Sequence, residues 1–431
     1  MSQTFNYTSI EQPLTSEGVL HVAQGFQTAP IASLGLFSER GNINLDTFEV
    51  ADVDGRQYLL QRINDEVFRD PRRVMAAMGQ YAHVQRSYLA TAGRSDVAWD
   101  PIELIPSVDG ELYQFYESGP MRGVWRLMAK IPNAVCFKSL GDVPADRRLA
   151  IAEEVGRGLA FNADTVADMS VKDLRTSLPG YRDTEGYFRQ FHAIVEGTQT
   201  ERDAERFLPD DEEVRHATAH LYRLACTQSE HSARKRDPEV VSWVRLVQES
   251  EPFALVLQQR VRDGVVRQTA IHGDTKIENF LFDAQTLKVK GLVDLDTIMP
   301  YTWLADWGDM MRSLVNVAGE REPDPERVQV DRDVYEAVTR GFLATAQAAT
   351  NEEVALMADA VAVIAVELGT RFLTDFLRGD NYFQLAAGDP HDLNLIRART
   401  QLTLFRRLVE IKPWAEDVVS RHQALRSPVG G

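Results

Sequence analysis

The 431-residue sequence predicts an α+β fold of two lobes, a small antiparallel β-sheet lobe carrying one helix followed by a large, mainly helical lobe. Three observations carry this. Short apolar runs flank an Asp-Gly turn near the N-terminus, helical periodicity dominates after Trp125, and one β-rich island, VVRQTAIHGDTKIENFLFDAQTLKVKGLVDLDT, sits among the helices. Single hydrophobic cores stop growing beyond about 250–300 residues, so a chain of this length divides. We assign 1–122 to the first lobe and 123–431 to the second.

The first strands are TFEVADVDGRQYLLQRI, with Asp54-Gly55 between two apolar runs, the pairing that favours a tight hairpin. DPRRVMAAMGQYAHVQRSYL then offers a capping Asp, a Pro at the first helical position and apolar residues at helical spacing. ELYQFYESGPMRGVWRLMAKI reads as two more strands. In the second lobe DVPADRRLAIAEEVGRGLAFNA, DEEVRHATAHLYRLACTQ, RDVYEAVTRGFLATAQ, NEEVALMADAVAVIAVELGTRFLTDFLRGD and LNLIRARTQLTLFRRLVEI all have helical length and pattern.

Composition narrows the function classes. A net charge of −17 repels polyanions, which argues against nucleic acid as a partner. The two cysteines, Cys136 and Cys226, give neither a disulfide framework nor a zinc spacing. The most apolar stretch carries Asp359, Glu367 and Arg371, so it is a buried helix and no membrane span. The N-terminal residues lack the basic start and apolar centre of a secretory signal. No repeat or low-complexity block stands out. The expectation is a cytoplasmic monomer or weak homodimer that meets neither membrane nor nucleic acid.

The chemistry is concentrated in IHGDTKIENFLF, residues 271–282. Asp274 and Asn279 have the D-x-x-x-x-N spacing of a kinase catalytic loop, in which an acid takes a hydroxyl proton and an amide oxygen helps hold Mg²⁺. His272 would brace the loop and Lys276 would offset charge on the transferred phosphate. Asp and Asn also simply turn chains. What favours chemistry is the next element, GLVDLDTIM, whose Asp294 and Asp296 follow a short hairpin. Two carboxylates at a strand end call for a cation, and oxygen ligands favour Mg²⁺. Asp294 is the expected metal ligand, with Asp296 either a second ligand or a structural acceptor. Further on, Asp306 and Asp309 in LADWGD are expected to hydrogen-bond the catalytic loop.

The first lobe is less explicit. SERGNINLDTFEV has a single glycine, Gly41, for cradling phosphates, and YLLQRIN offers Gln61 and Arg62 where a phosphate-pairing Lys is expected.

Taken together, IHGDTKIENFLF, VDLDTIMP, LADWGD, GTRFLTDFLRGDNYF and NLIRARTQL resemble the N-acetylhexosamine 1-kinases of the aminoglycoside phosphotransferase and choline kinase superfamily, with further likeness in GNIN, YLLQRIN and WRLM. The resemblance implies a protein-kinase-like fold, ATP with Mg²⁺, and phosphoryl transfer to the anomeric hydroxyl of an N-acetylated hexosamine. By it Asp274 is the base, Asn279 and Asp294 hold the metal, Trp125, Arg126, Leu127 and Met128 line the adenine cleft, and Arg371 and Tyr382 reach the sugar. An ion pair with Asp375, one helical turn away, is the plainer role for Arg371. The chain departs from the family pattern at Asn42, where those kinases have a sugar-contacting His, and at Ser313 after Arg312, where they have an aromatic residue. Both positions bear on the acceptor. An aminoglycoside, an amino alcohol or another small hydroxylated metabolite is the alternative substrate, and a nucleotide-binding pseudokinase the alternative class.

Overall fold

The Asp-Gly hairpin is formed by β2 (Thr47–Asp52) and β3 (Gln57–Arg62), whose side chains alternate as the apolar pattern requires, Tyr58 and Leu60 inward. The computed structural model of the protein describes residues 4–5, 14–38, 43–44, 46–91, 94, 97–386 and 388–425. Before the hairpin come helix α1 (Ser16–Gln24), N-capped by Thr15, and β1 (Ile31–Leu36). After it α2 (Pro71–Thr91) begins on its proline as expected. β4 (Leu104–Ile105), β5 (Gln114–Tyr116) and β6 (Gly123–Ala129) complete a six-stranded antiparallel sheet of order β1-β2-β3-β6-β4, with β5 also on β6.

The sheet therefore runs past the lobe boundary expected at 122. β6 pairs with β3 on one side and with β4 and β5 on the other. Its residues are buried on both faces from Gly123 to Leu127, which suits a central strand rather than the start of a new lobe. The chain crosses over after Ala129, and β7 (Ala134–Val135) already pairs in the second lobe.

The second lobe is helical and holds the largest hydrophobic cluster. α3 (Arg148–Thr165) crosses α4 (Arg332–Thr345), and the crossing is close because Gly156 and Gly341 face each other's helix. A Cβ on Gly156 would run into the Val338 carbonyl, and one on Gly341 into the Glu153 carbonyl. The most apolar segment forms α5 (Met357–Arg378), buried over most of its length, and packs on α6 (Leu393–Glu410). No helix among the described residues is long and apolar enough to cross a membrane.

One expected helix is largely replaced. The stretch 211–228 is helical over Glu212–Thr218, then closes in a 3₁₀ turn, Ala219–Tyr222, and the next helix starts only at Gln228. Arg378 explains why the helix stops. Its guanidinium donates to the carbonyls of His220 and Arg223, and its own carbonyl accepts from the amides of Ala225 and Cys226. Tertiary hydrogen bonds thus take the backbone groups that a longer helix would use.

Candidate active site

The β-rich island supplies the site. β8 (Thr269–Ile271) leads into the loop 272–276, a 3₁₀ turn follows at Ile277–Asn279, and the hairpin β9 (Phe280–Asp283) with β10 (Val289–Leu292) returns to Asp294. β11 (Met299–Tyr301) pairs back on β8, and the helix Trp303–Val315 follows.

Asp306, buried on the helix Trp303–Val315, fixes the loop. Its two carboxylate oxygens accept the backbone N–H groups of His272 and Gly273, each at 2.8 Å, and its carbonyl accepts the Thr275 hydroxyl at 2.6 Å. Gly273 has φ +88°, and a Cβ there would lie 2.7 Å from the Thr297 carbonyl, so the turn needs glycine. His272 is fully buried. Its Nδ1 accepts the Asp274 N–H at 3.2 Å, which leaves Nε2 to donate to the Val293 carbonyl at 2.8 Å and so tie the catalytic-type loop to the strand before Asp294.

Asp274 is partly open to solvent. Lys276 Nζ sits 3.1 Å from its Oδ2 and 2.9 Å from Glu278 Oε1. Burial works against the Lys276 charge, but Asp274 and Glu278 outweigh it and hold the ammonium well above the ordinary lysine range. Asn279 Nδ2 donates to the Asp274 carbonyl at 2.7 Å, leaving Oδ1 as the atom available to a cation. Asp294 has a left-handed backbone, φ 66° and ψ 54°. Burial first, then the charges of Asp296 and Asp274, push its carboxyl up to about 6.

This donor set fits a hard divalent ion. A carboxylate with two acidic neighbours is relieved by a cation, and an amide oxygen stands ready on the adjoining loop. Among the described residues no group of three or more His, Cys, Asp or Glu forms a metal cage. An ion held by one carboxylate, one amide and the phosphates of a nucleotide needs no such cage.

Comparison with known proteins settles the family. Residues 39–342 match the family model described as the phosphotransferase enzyme family. The chain belongs to that family. Its members transfer a phosphoryl group from ATP, with a divalent metal, to an alcohol group of a small molecule, and this coarse chemistry holds for the chain. The fold is similar to that of an aminoglycoside phosphotransferase from Alicyclobacillus acidocaldarius, with 14% identity, 95% of this chain and 98% of that chain covered, and TM-score 0.51. It is also similar to a microcompartment-associated aminopropanol kinase (13% identity, 91% and 97% covered, TM-score 0.50) and to a choline kinase from Cryptosporidium parvum (10%, 93% and 97%, 0.50).

Against this phosphotransferase frame the expected residues divide. Asp274, Lys276, Asn279 and Asp294 come together, and His272, Asp306 and Asp309 brace them. Asp309 accepts the Thr275 N–H at 3.3 Å and pairs with Arg182 and Arg312. Burial alone would raise its carboxyl, but the Arg312 and Arg182 guanidiniums hold it down at about 2. Asp296 accepts Arg126 Nη1 on one oxygen at 2.5 Å and Asn44 Nδ2 on the other at 2.6 Å, hydrogen bonds of the structural-acceptor kind expected for it.

Five expected residues take other places. Trp125 and Leu127 do not line a cleft: strand alternation turns them into the core between the sheet and α1, where Trp125 stacks on Phe48. Arg126 and Met128 leave the sheet on the opposite face. Arg62 pairs with Asp46 and donates to the carbonyls of Pro120 and Arg122, away from the catalytic loop. Arg312 is held by Asp309 and Glu320, and the Ser313 hydroxyl turns back to the Met310 carbonyl of its own helix, so neither is free for an acceptor. Gly41 and Asn42 lie outside the described residues.

Arg371 makes no ion pair with Asp375, which instead accepts the N–H groups of Asn381, Tyr382 and Phe383. It is ringed by aromatic side chains, with its guanidinium carbon 4.6 Å from the Tyr187 centroid, 5.3 Å from Phe383 and 5.6 Å from Tyr181 and Tyr382. Tyr181 and Arg182 also donate to the Gly273 carbonyl, at 2.8 and 2.9 Å. Sequence reasoning missed Tyr181, Arg182, Tyr187 and Asn44. The LPGYRDTEGYF stretch that holds three of them has turn residues but no periodic pattern, and only its cluster of two tyrosines and an arginine could have drawn notice.

Proposed function

We propose that the protein is an ATP-dependent, Mg²⁺-requiring kinase of an amino sugar, with the anomeric hydroxyl of an N-acetylhexosamine as the first candidate acceptor. The observation that carries the reading is the single loop presenting the Asp274 carboxylate and the Asn279 amide beside Asp294. Asn279 and Asp294 would hold the metal, which when bound offsets the charge on the phosphoryl oxygens.

Lys276 engages Asp274 Oδ2, which leaves Oδ1 to accept the acceptor's hydroxyl proton. As that proton passes to Asp274, the hydroxyl oxygen bonds to the γ-phosphorus and the bond to the ADP oxygen breaks. Lys276, kept charged by Asp274 and Glu278, would offset charge on the transferred phosphoryl group. His272 and Asp306 hold the loop so that little reorganisation accompanies transfer.

Arg371 supports a sugar over a cationic amino alcohol. Aromatic rings attract cations, yet the rings of Tyr181, Tyr187, Tyr382 and Phe383 already surround the chain's own guanidinium. A quaternary ammonium would meet a like charge there, whereas sugar hydroxyls or an acetamido carbonyl find donors and apolar faces. ATP consumption across N-acetylglucosamine, N-acetylgalactosamine, choline and aminopropanol tests this. The two sugars should be turned over, and exclusive use of the amines would overturn the assignment.

A further inference from the structure

The strand position expected to hold a phosphate-pairing lysine is occupied by Gln61, yet a cation is present one strand away. β3 and β6 pair with Gln61 opposite Arg126, and both side chains leave the sheet on one face. Gln61 Oε1 accepts from Arg126 Nε at 3.0 Å and from Nη2, while Gln61 Nε2 donates to Thr47 Oγ1 at 2.9 Å. The glutamine is thereby held with its oxygen toward the guanidinium.

Arg126 then reaches across the lobes to Asp296, two residues after Asp294. Both side chains of this pair are 3% exposed, so neither charge has water to fall back on. Asn44 donates to the second Asp296 oxygen and accepts the Asn64 N–H at 2.9 Å, adding a second link from the first lobe. Helix α2 contributes Met78, whose sulfur lies 3.3 Å from Arg126 Nη1.

We propose that Arg126 replaces the missing lysine as a positioning residue. Held by Gln61, it fixes Asp296 and through it the backbone that presents Asp294 to the metal. The fork geometry matters, because one planar guanidinium spans the Gln61 oxygen and the Asp296 carboxylate, which the point charge of a lysine does not. The inference rests on the metal role proposed for Asp294.

The full-length chain carrying Arg126→Lys or Gln61→Leu tests it by two readouts. In metal-free protein, amide hydrogen exchange over 293–298 should quicken by about tenfold in Arg126→Lys, the scale of one lost charge-assisted hydrogen bond, and less in Gln61→Leu. Exchange in α5 should stay unchanged, which separates local loosening from misfolding. In turnover, the Mg²⁺ concentration for half-maximal rate should rise roughly 10- to 100-fold in Arg126→Lys, as for loss of a metal's supporting contact, with a smaller change in kcat at saturating metal. If Arg126→Lys does not fold, the smaller shifts of the same sign in Gln61→Leu carry the test. Exchange and metal dependence within twofold of the unsubstituted chain overturn the proposal. Failure of the functional reading looks different: the unsubstituted chain would then transfer no phosphate, whatever the exchange result.

Discussion

Replacing Asp306 by Asn tests how the catalytic loop is held. The carboxylate accepts the His272 and Gly273 N–H groups at 2.8 Å each, one on each oxygen, in a fully buried setting. A carboxamide keeps one acceptor and turns an NH₂ toward the other amide, so whichever way it is placed one buried N–H loses its partner. The cost is about 2–3 kcal/mol, the scale of a hydrogen bond to a charged group with a donor left unsatisfied. Because the released amide belongs to the residue before Asp274 or the one before that, the base shifts as well. A displacement near 1 Å costs roughly 10²-fold in rate. Urea unfolding at an unchanged m-value gives the first quantity, and steady-state phosphate transfer the second. Stability within about 0.5 kcal/mol of the unsubstituted chain, together with undiminished kcat, would refute the bracing role, since surface changes alone stay inside that band.

Other consequences are equally specific. Gly341→Ala should destabilise the second lobe by about 1–3 kcal/mol or more by forcing α3 and α4 apart, read as a lower urea midpoint. The Asp309 carboxyl, near 2 in the folded chain, lies below its unfolded value of about 3.9, so its contribution is complete above that value and is lost as pH falls toward 2. Asp309→Asn should therefore flatten the acid limb of stability between about pH 5 and 2 in a denaturation series. Arg371→Met should raise KM for the sugar more than it lowers kcat, and a comparable fall in both would place Arg371 elsewhere in the reaction. Removal of divalent metal by a chelator should abolish transfer, and added Mg²⁺ should restore it.

Much of the site was legible because its parts follow one another in the chain. The Asp274 and Asn279 spacing, the short hairpin and the Asp294 that ends it form one continuous run, so order alone brings them together. Asp306 and Asp309 were readable for the same reason, one helix further on. What could not be read are partners joined only by folding. Asn44 meets Asp296 across 252 positions and Arg126 meets it across 170, and no local pattern encodes either pairing. Arg182 was hidden in an irregular stretch, where its left-handed backbone, φ 58°, follows no periodicity. The error at Trp125 and Leu127 was one of facing: a strand's period of two divides WRLM between core and cleft, but only the packed sheet says which residues take which side.

The central claim is that Asp274 deprotonates a sugar hydroxyl for phosphoryl transfer. Its most direct test is NMR of the product formed from ATP, Mg²⁺ and N-acetylglucosamine or N-acetylgalactosamine by the unsubstituted chain and by Asp274→Asn. The unsubstituted chain should yield a sugar whose anomeric proton is coupled to phosphorus, and Asp274→Asn should lose transfer by about 10²-fold or more, the scale of general-base catalysis, while still binding ATP. Full transfer by Asp274→Asn, or no phosphorylated sugar from the unsubstituted chain, would contradict the account.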